Sequence, residues 1–192
     1  MGQTIHGLLE RNARKYPEKV AFITASNRLT YADMNKKCNQ IARLLQNQGV
    51  KRGDRVAIMS RNNEHFFYSF FALMKIGASP MPMNIRLTPN ELLVILQNSN
   101  AAGIFYETEL QETINTLQGL ISLKYSFAIQ EAVENASIYS EENLDLPIDS
   151  KHVCEILFTS GTTGVPKGVV FNHERILAIA SAVSNNFCLS HE

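Results

Sequence analysis

The sequence is poor in the features that would place it outside the cell, in a membrane or on a polyanion. Its three cysteines, Cys38, Cys154 and Cys188, are odd in number, far apart and outside any CxxC or Cys/His ligand spacing. That argues against a disulfide framework or a zinc site and leads to the expectation of a reducing cytoplasm. Charge of one sign is missing too: 18 basic residues balance 18 acidic ones, for a formal net charge of +0. No global field then draws the chain to nucleic acid or to an anionic membrane. The first residues are polar and charged throughout and contain no apolar h-region, so a secretory signal is not expected. A myristoylation start after Gly2 fails because His6 stands where Ser or Thr is needed. The longest apolar stretch, residues 66–74, is interrupted by Ser69 and stopped by Lys75, well short of the roughly 20 residues a spanning helix needs. No internal repeat or low-complexity tract is visible.

What is present can fold. At 192 residues, 45% of them hydrophobic and 19% charged, the chain corresponds to about 1.3 domains of roughly 150 residues. Helical and strand patterns alternate. Thr4 heads a helix with Ile5, Leu8, Leu9 and Ala13 at helical spacing, stopped by Tyr16-Pro17, and a strand follows at 20–24. After a turn at Ser26-Asn27, Thr30 and Asp33 form a capping box. It opens a long amphipathic helix through Met34, Cys38, Ile41, Leu44 and Leu45, ended by Gly49. A strand at 55–59, a helix at 64–76 closed by Gly77 and a strand-like run at 79–84 come next. The prolines in that run predict an edge or irregular strand. Thr88-Pro89-Asn90-Glu91 caps another helix, followed by a strand at 102–106, a weaker helix at 108–117, a strand at 126–130 and a polar surface connection at 139–151. The fold class expected is α/β, with mostly parallel sheets flanked by helices. Phe66, Phe67, Phe70 and Phe71 lie at helical spacing and are expected in the core.

The chemistry is concentrated late in the chain. A compact apolar strand at 153–158 runs into TSGTTGVPKG, residues 159–168, with three Gly, three Thr, one Ser, one Pro and one Lys. Glycines let backbone N–H groups converge, the hydroxyls of Thr159, Ser160, Thr162 and Thr163 add donors, and Lys167 supplies a point charge. A polyphosphate is the natural ligand. The loop is not a Walker A motif: Pro166 stands before Lys167 where Gly is required, and Gly168 stands where Ser or Thr would hold magnesium. Residues 168–171 read as a second strand and Asn172 as the N-cap of a helix starting at His173, so the loop joins two strands. Alone, Lys167 would be a solvated surface lysine; its place in the loop gives it a role. His173 is expected as a first-turn surface or supporting residue rather than a catalytic base.

TSGTTGVPKG resembles the phosphate-binding signature of the adenylate-forming superfamily, which includes acyl-CoA synthetases, adenylation domains of nonribosomal peptide synthetases and beetle luciferases. The resemblance covers nearly the whole chain. LTYADMNKKCNQIARLL (29–45) is similar to that family's first conserved helix, residues 49–92 to the segment through its Lys-x-Gly-Ala turn, and FNHERIL to its Thr/Ser-His-x-x-Leu helix start. Asn84, where amino-acid adenylation domains tend to show Asp, looks closer to acyl-CoA synthetases. The resemblance implies the N-terminal portion of the large domain of such an enzyme, spanning 1–192. It also implies a loop of Thr159, Ser160, Gly161, Thr162, Thr163, Gly164 and Lys167 on the ATP phosphates. The implied reaction has a carboxylate attack the α phosphorus, pyrophosphate leave, and the thiol of CoA take the acyl group from acyl-AMP. ATP, Mg2+, CoA and a small carboxylic acid are the implied ligands.

The family's working enzymes continue well beyond the length of this chain. The acyl pocket, the adenine and ribose contacts, the magnesium-binding Glu and the small C-terminal domain with its catalytic Lys are therefore expected outside it, and no catalytic or metal-binding residue is expected within it. Two function classes follow: a ligase acting in a longer form or with a complementing chain, and a catalytically silent nucleotide-binding or interaction fragment. Self-association is the expected consequence of exposed sheet edges. An unrelated phosphate-loop protein is a third, weaker possibility.

Overall fold

The computed structural model describes residues 3–24, 27–159 and 166–187. Its N-terminal part is a helix, α1 (Ile5–Lys15), an antiparallel ribbon of β1 (Val20–Ile23) and β2 (Arg28–Thr30), and a long helix, α2 (Tyr31–Asn47). Both helices start where their capping residues place them. The Thr4 hydroxyl accepts from the Gly7 amide, and Thr30 and Asp33 exchange the two bonds of a capping box. Each cap is worth about 1 kcal/mol to its helix.

Four strands then form one parallel sheet in the order β4-β3-β5-β6: β3 (Arg55–Met59), β4 (Ser79–Met83), β5 (Gly103–Tyr106) and β6 (Tyr125–Ala128). The crossovers carry α3 (Glu64–Lys75), α4 (Pro89–Asn98) and α5 (Gln111–Gln118). Side-chain alternation along β3 divides the core in two. Val56 and Ile58 point toward a layer with Cys38, Ile41 and Leu45 of α2 and Leu73 of α3. Ala57 and Met59 point toward Leu92 and Leu96 of α4 and Ile114 and Leu117 of α5. A helix layer on each face of a parallel sheet is what strands apolar on both sides require. The phenylalanines Phe66, Phe67, Phe70 and Phe71 pack only partly buried against the first layer, while Tyr68, Ser69, Ala72 and Leu73 form the buried face of α3, so their expected core position is met in part.

The prolines of β4 sit where they cost nothing. Ser79 donates its amide to Asp54 O at 2.8 Å, so the alternate positions, Pro80 and Pro82, lie with their nitrogens on the side away from β3, where β4 has no ladder partner. At the turn into β4, Gly77 has φ +74, and a Cβ there would lie 2.9 Å from Arg52 Cγ and from Ile148 Cδ1. Both the backbone and the space demand glycine.

One expectation needs correction. The strand expected at 126–130 is β6 at Tyr125–Ala128, and Ile129 begins a helix, α6 (Ile129–Asn135). Ile129, Ala132, Val133 and Ala136 are all buried, at the i, i+3, i+4, i+7 spacing of one helix face. The connection at 139–151 is surface chain, yet it is strapped down. The Arg43 guanidinium donates to the carbonyls of Ser140, Glu142 and Asn143, Asn39 to Glu141 O and Gln40 to Tyr139 O, while Ile148 is buried. Polar residues of α2, Asn39 and Gln40 buried beneath the strap, thus satisfy a strand-less segment through its backbone.

An ion-paired link ties three of the helices together. Lys75, 1% exposed, donates to Glu10 of α1 and, at 2.9 Å, to Asn35 Oδ1 of α2. Among the described residues no helix is long and apolar enough to cross a membrane.

Candidate functional site

The strap leads into an antiparallel hairpin of β7 (Val153–Thr159) and β8 (Lys167–Asn172), followed by α7 (His173–Asn186). The expectation of a loop joining two strands, with Asn172 capping a helix, is met: Asn172 Oδ1 accepts from the Arg175 amide at 2.8 Å. Thr159 and Lys167 form the last pair of the ladder, and the Thr159 hydroxyl lies 3.4 Å from Lys167 O. Both are exposed. The ladder brings these two predicted residues together at the loop mouth. The other predicted site residues, Ser160, Gly161, Thr162, Thr163 and Gly164, lie outside the described residues.

Gly168 serves packing within the hairpin. A Cβ at that position would be 3.2 Å from Phe158 Cε1 and 3.3 Å from Ile156 Cγ2, so the absence of a side chain admits the Phe158 ring across the strand pair. Behind the hairpin, a cleft of about 360 Å³ lies between Phe158, Pro166 and Gly168 on one side and Arg55, Ser79 and Asn98 on the other. The base of the hairpin is held at several points. Ser79 Oγ donates to Val153 O at 3.0 Å, His152 Nε2 lies 2.6 Å from Gly77 O, and the Glu174 amide donates to Ser150 O at 3.0 Å. His173 is fully buried against α1 rather than on the surface, which corrects the first half of its expected role. Capping by Asn172 turns the chain so that the first residue of α7 faces inward.

The buried titratable groups here are unsuited to nucleophilic work. Burial, with Glu155 beside it, pushes the Cys154 thiol up to about 12, and burial raises the Glu155 carboxyl. A thiol so raised is protonated at neutral pH and is a poor nucleophile. Among the described residues no group of three or more His, Cys, Asp and Glu side chains comes together as a metal cluster.

Sequence reasoning missed the cluster at the other end of the sheet. The topological switch between β3 and β5 is where open parallel sheets usually receive ligands. Here the space is taken by Glu107, 2% exposed, which accepts from Ser60 Oγ, the Arg61 amide and guanidinium and Asn63 Nδ2. Four donors on one carboxylate close the crevice with the protein's own charge. Glu107 follows an ordinary apolar strand, so nothing in the sequence marks it.

Comparison with known proteins shows the family. Residues 9–191 match the AMP-binding enzyme family. Crotonobetaine/carnitine–CoA ligase from Escherichia coli is 32% identical over 190 residues, covering 90% of this chain and 37% of the relative. Tyrocidine synthase 1 from Brevibacillus parabrevis is 28% identical over 192 residues, covering 100% of this chain and 17% of the relative. The inhibitor-bound N-terminal domain of FACL13 from Mycobacterium tuberculosis superposes with a TM-score of 0.87 at 27% identity, over 96% of this chain and 48% of that one. The chain therefore spans about half, or less, of the length of these relatives. With the parallel sheet and the match extending from α1 through the β7–β8 hairpin and α7, the chain belongs to the AMP-binding enzyme family of adenylate-forming ligases.

Proposed function

We propose that this chain is the N-terminal, phosphate-binding part, 1–192, of the large domain of an AMP-forming carboxylate–CoA ligase. The loop from Thr159 to Lys167 would hold the β and γ phosphates of ATP while a substrate carboxylate attacks the α phosphorus. Pyrophosphate leaves with the bridging oxygen's electrons, an acyl-AMP remains, and the CoA thiol displaces AMP from the acyl carbon. The chain's own part is positioning and charge stabilisation of the departing polyphosphate through Lys167, the loop hydroxyls and backbone donors. Mg2+ would enter with ATP.

The observation that carries this reading is the pairing of Thr159 with Lys167 across the hairpin, inside a family match of residues 9–191. CoA as acceptor is supported by the Escherichia coli CoA ligase among the relatives and by the resemblance at Asn84. The test is carboxylate-dependent ATP–pyrophosphate exchange over a panel of fatty, aryl and amino acids, followed by thioester formation with CoA. Exchange with amino acids and no thioester would assign amino-acid adenylation instead. A cytoplasmic location fits the need for ATP and CoA.

A second reading, a catalytically silent fragment or one completed by another polypeptide, is favoured by α7. Ile179, Val183 and Phe187 are 48%, 45% and 73% exposed and fall on one helical face. That apolar face fits a complementing chain carrying the remainder of the large domain. Exchange by this chain only when such a partner is added would support completion, and binding without exchange would leave the silent role. Self-association would appear as concentration-dependent mass in sedimentation.

A further inference from the structure

We propose that His173 is the positioning residue of the phosphate hairpin, anchoring β8 to α1 through a neutral ring pair with His6. The proposal rests on reading residues 159–167 as the phosphate loop. Three observations carry it. His173 is the only buried residue among those of α7, and it follows β8 without a linker, so any displacement of its ring is passed to the strand that begins with Lys167. Its Nδ1 lies 3.3 Å from the Ile5 amide of α1. Its ring stands edge-on to His6, centroids 5.3 Å apart and planes at 74°, and His6 Nε2 is 3.2 Å from the Thr4 hydroxyl.

The bonding fixes the protonation state. An amide only donates, so His173 Nδ1 accepts from Ile5 and its single proton lies on Nε2. A proton added to Nδ1 would set two donors against each other and break the anchor. His173 Nε2 and His6 Nδ1, both buried, have no partner among the described residues. The surroundings favour neutrality as well. Lys75, paired with Glu10, acts on His6, and His152 acts on His173. Glu174, next in the chain, is exposed and uses its amide on Ser150 O. The opposite strand is tied independently by Ser79 and His152; from the β8 side the hairpin is held to α1 through the histidine, and to the preceding strap through the Glu174 amide.

The test is amide hydrogen exchange on the chain and on its His173→Phe and His173→Asn variants, with pyrophosphate titrated in parallel. Phe keeps the ring but has no acceptor; Asn offers Oδ1 where Nδ1 stood. The expected result is about tenfold faster exchange at Ile5 and β8 in the Phe variant, the size of one lost hydrogen bond, with β3 and β5 unchanged and Asn restoring protection. In the unsubstituted chain, protection of Ile5 and β8 should fall together as pH drops toward 4, ahead of β3. If the Phe variant does not fold, that pH profile decides. Hairpin exchange that is unchanged in the Phe variant, equal in Phe and Asn, or independent of pH would overturn the proposal. Absence of pyrophosphate binding by the unsubstituted chain would instead overturn the phosphate reading and leave the exchange result to judge the anchor.

Discussion

Thr159 and Lys167 face each other as the final pair of the β7–β8 ladder, with the Thr159 hydroxyl 3.4 Å from Lys167 O. On the proposed reading, the cation at one end of the loop and the hydroxyl at the other would form the two sides of a gateway for an anion. Lys167→Ala keeps the strand pair and removes one charge-assisted contact, worth about 1.5–3 kcal/mol. ATP–pyrophosphate exchange by a catalytically complete form should fall about 10- to 100-fold, with urea stability within about 0.5 kcal/mol. Full exchange in Lys167→Ala would remove the lysine from the site.

Gly168 separates packing from anion binding. A β-branched side chain there meets Phe158 and Ile156 at 3.2–3.3 Å. Gly168→Val should cost about 1–3 kcal/mol of stability by overpacking, seen as a lower midpoint in urea, while Gly168→Ala should cost less. Equal stability in Val and native chains would contradict the close approach.

Lys75 and Glu10 are unequal partners, one 1% exposed and the other 21% at the side chain. Burial lowers the lysine's pKa, and Glu10 opposes that by charge and hydrogen bond. Glu10→Gln leaves a buried ammonium without its counter-charge and should cost about 3 kcal/mol. Lys75→Met leaves Glu10 able to reach water and only Asn35 Oδ1 unpaired, for about 1 kcal/mol. The reverse order in chemical denaturation would refute this assignment of the buried charge.

Acid should weaken the fold through the histidines before the carboxylates titrate fully. Burial, then His173 and Lys75, lower His6 from 6.5 to about 3; burial, then His152, lowers His173 to about 4. Both folded-state values lie below the unfolded one, so the unfolded chain binds more protons as pH falls. Stability is full above pH 6.5 and is lost downward through the folded values, by several kcal/mol in all. Urea midpoints measured from pH 7 to 5 should slope downward with acid, and the slope should flatten in His6→Gln/His173→Asn. A flat profile in the native pair would contradict burial of neutral rings.

The layering was legible where helices announced themselves by side-chain caps, which α5 and α6 lack. Thr4, Thr30, Asn63, Thr88 and Asn172 all cap the helices that follow them, and caps are side-chain-to-backbone chemistry readable from a few residues. The prolines of β4 foretold an edge for the same reason. The start of α6 was not legible, since Ser126 to Gln130 can alternate as a strand or continue as a helix, and packing under α2 and α3 decides. Glu107, Lys75 and the His6–His173 pair also escaped, because their partners are distant in sequence and only the fold brings them together. At the candidate site, the loop composition led to the expectation of a polyphosphate, and the fold added the pairing of Thr159 with Lys167.

The account stands most directly on where a polyphosphate touches the chain. A heteronuclear NMR titration with pyrophosphate, and separately with MgATP, reports this at each amide. The expected result is shifts concentrated from Thr159 to Gly168 and largely lost in Lys167→Ala, with the amides around Glu107 unmoved. No shifts at the hairpin under saturating pyrophosphate, or shifts centred on Ser60, Arg61 and Glu107 instead, would contradict the phosphate-loop assignment.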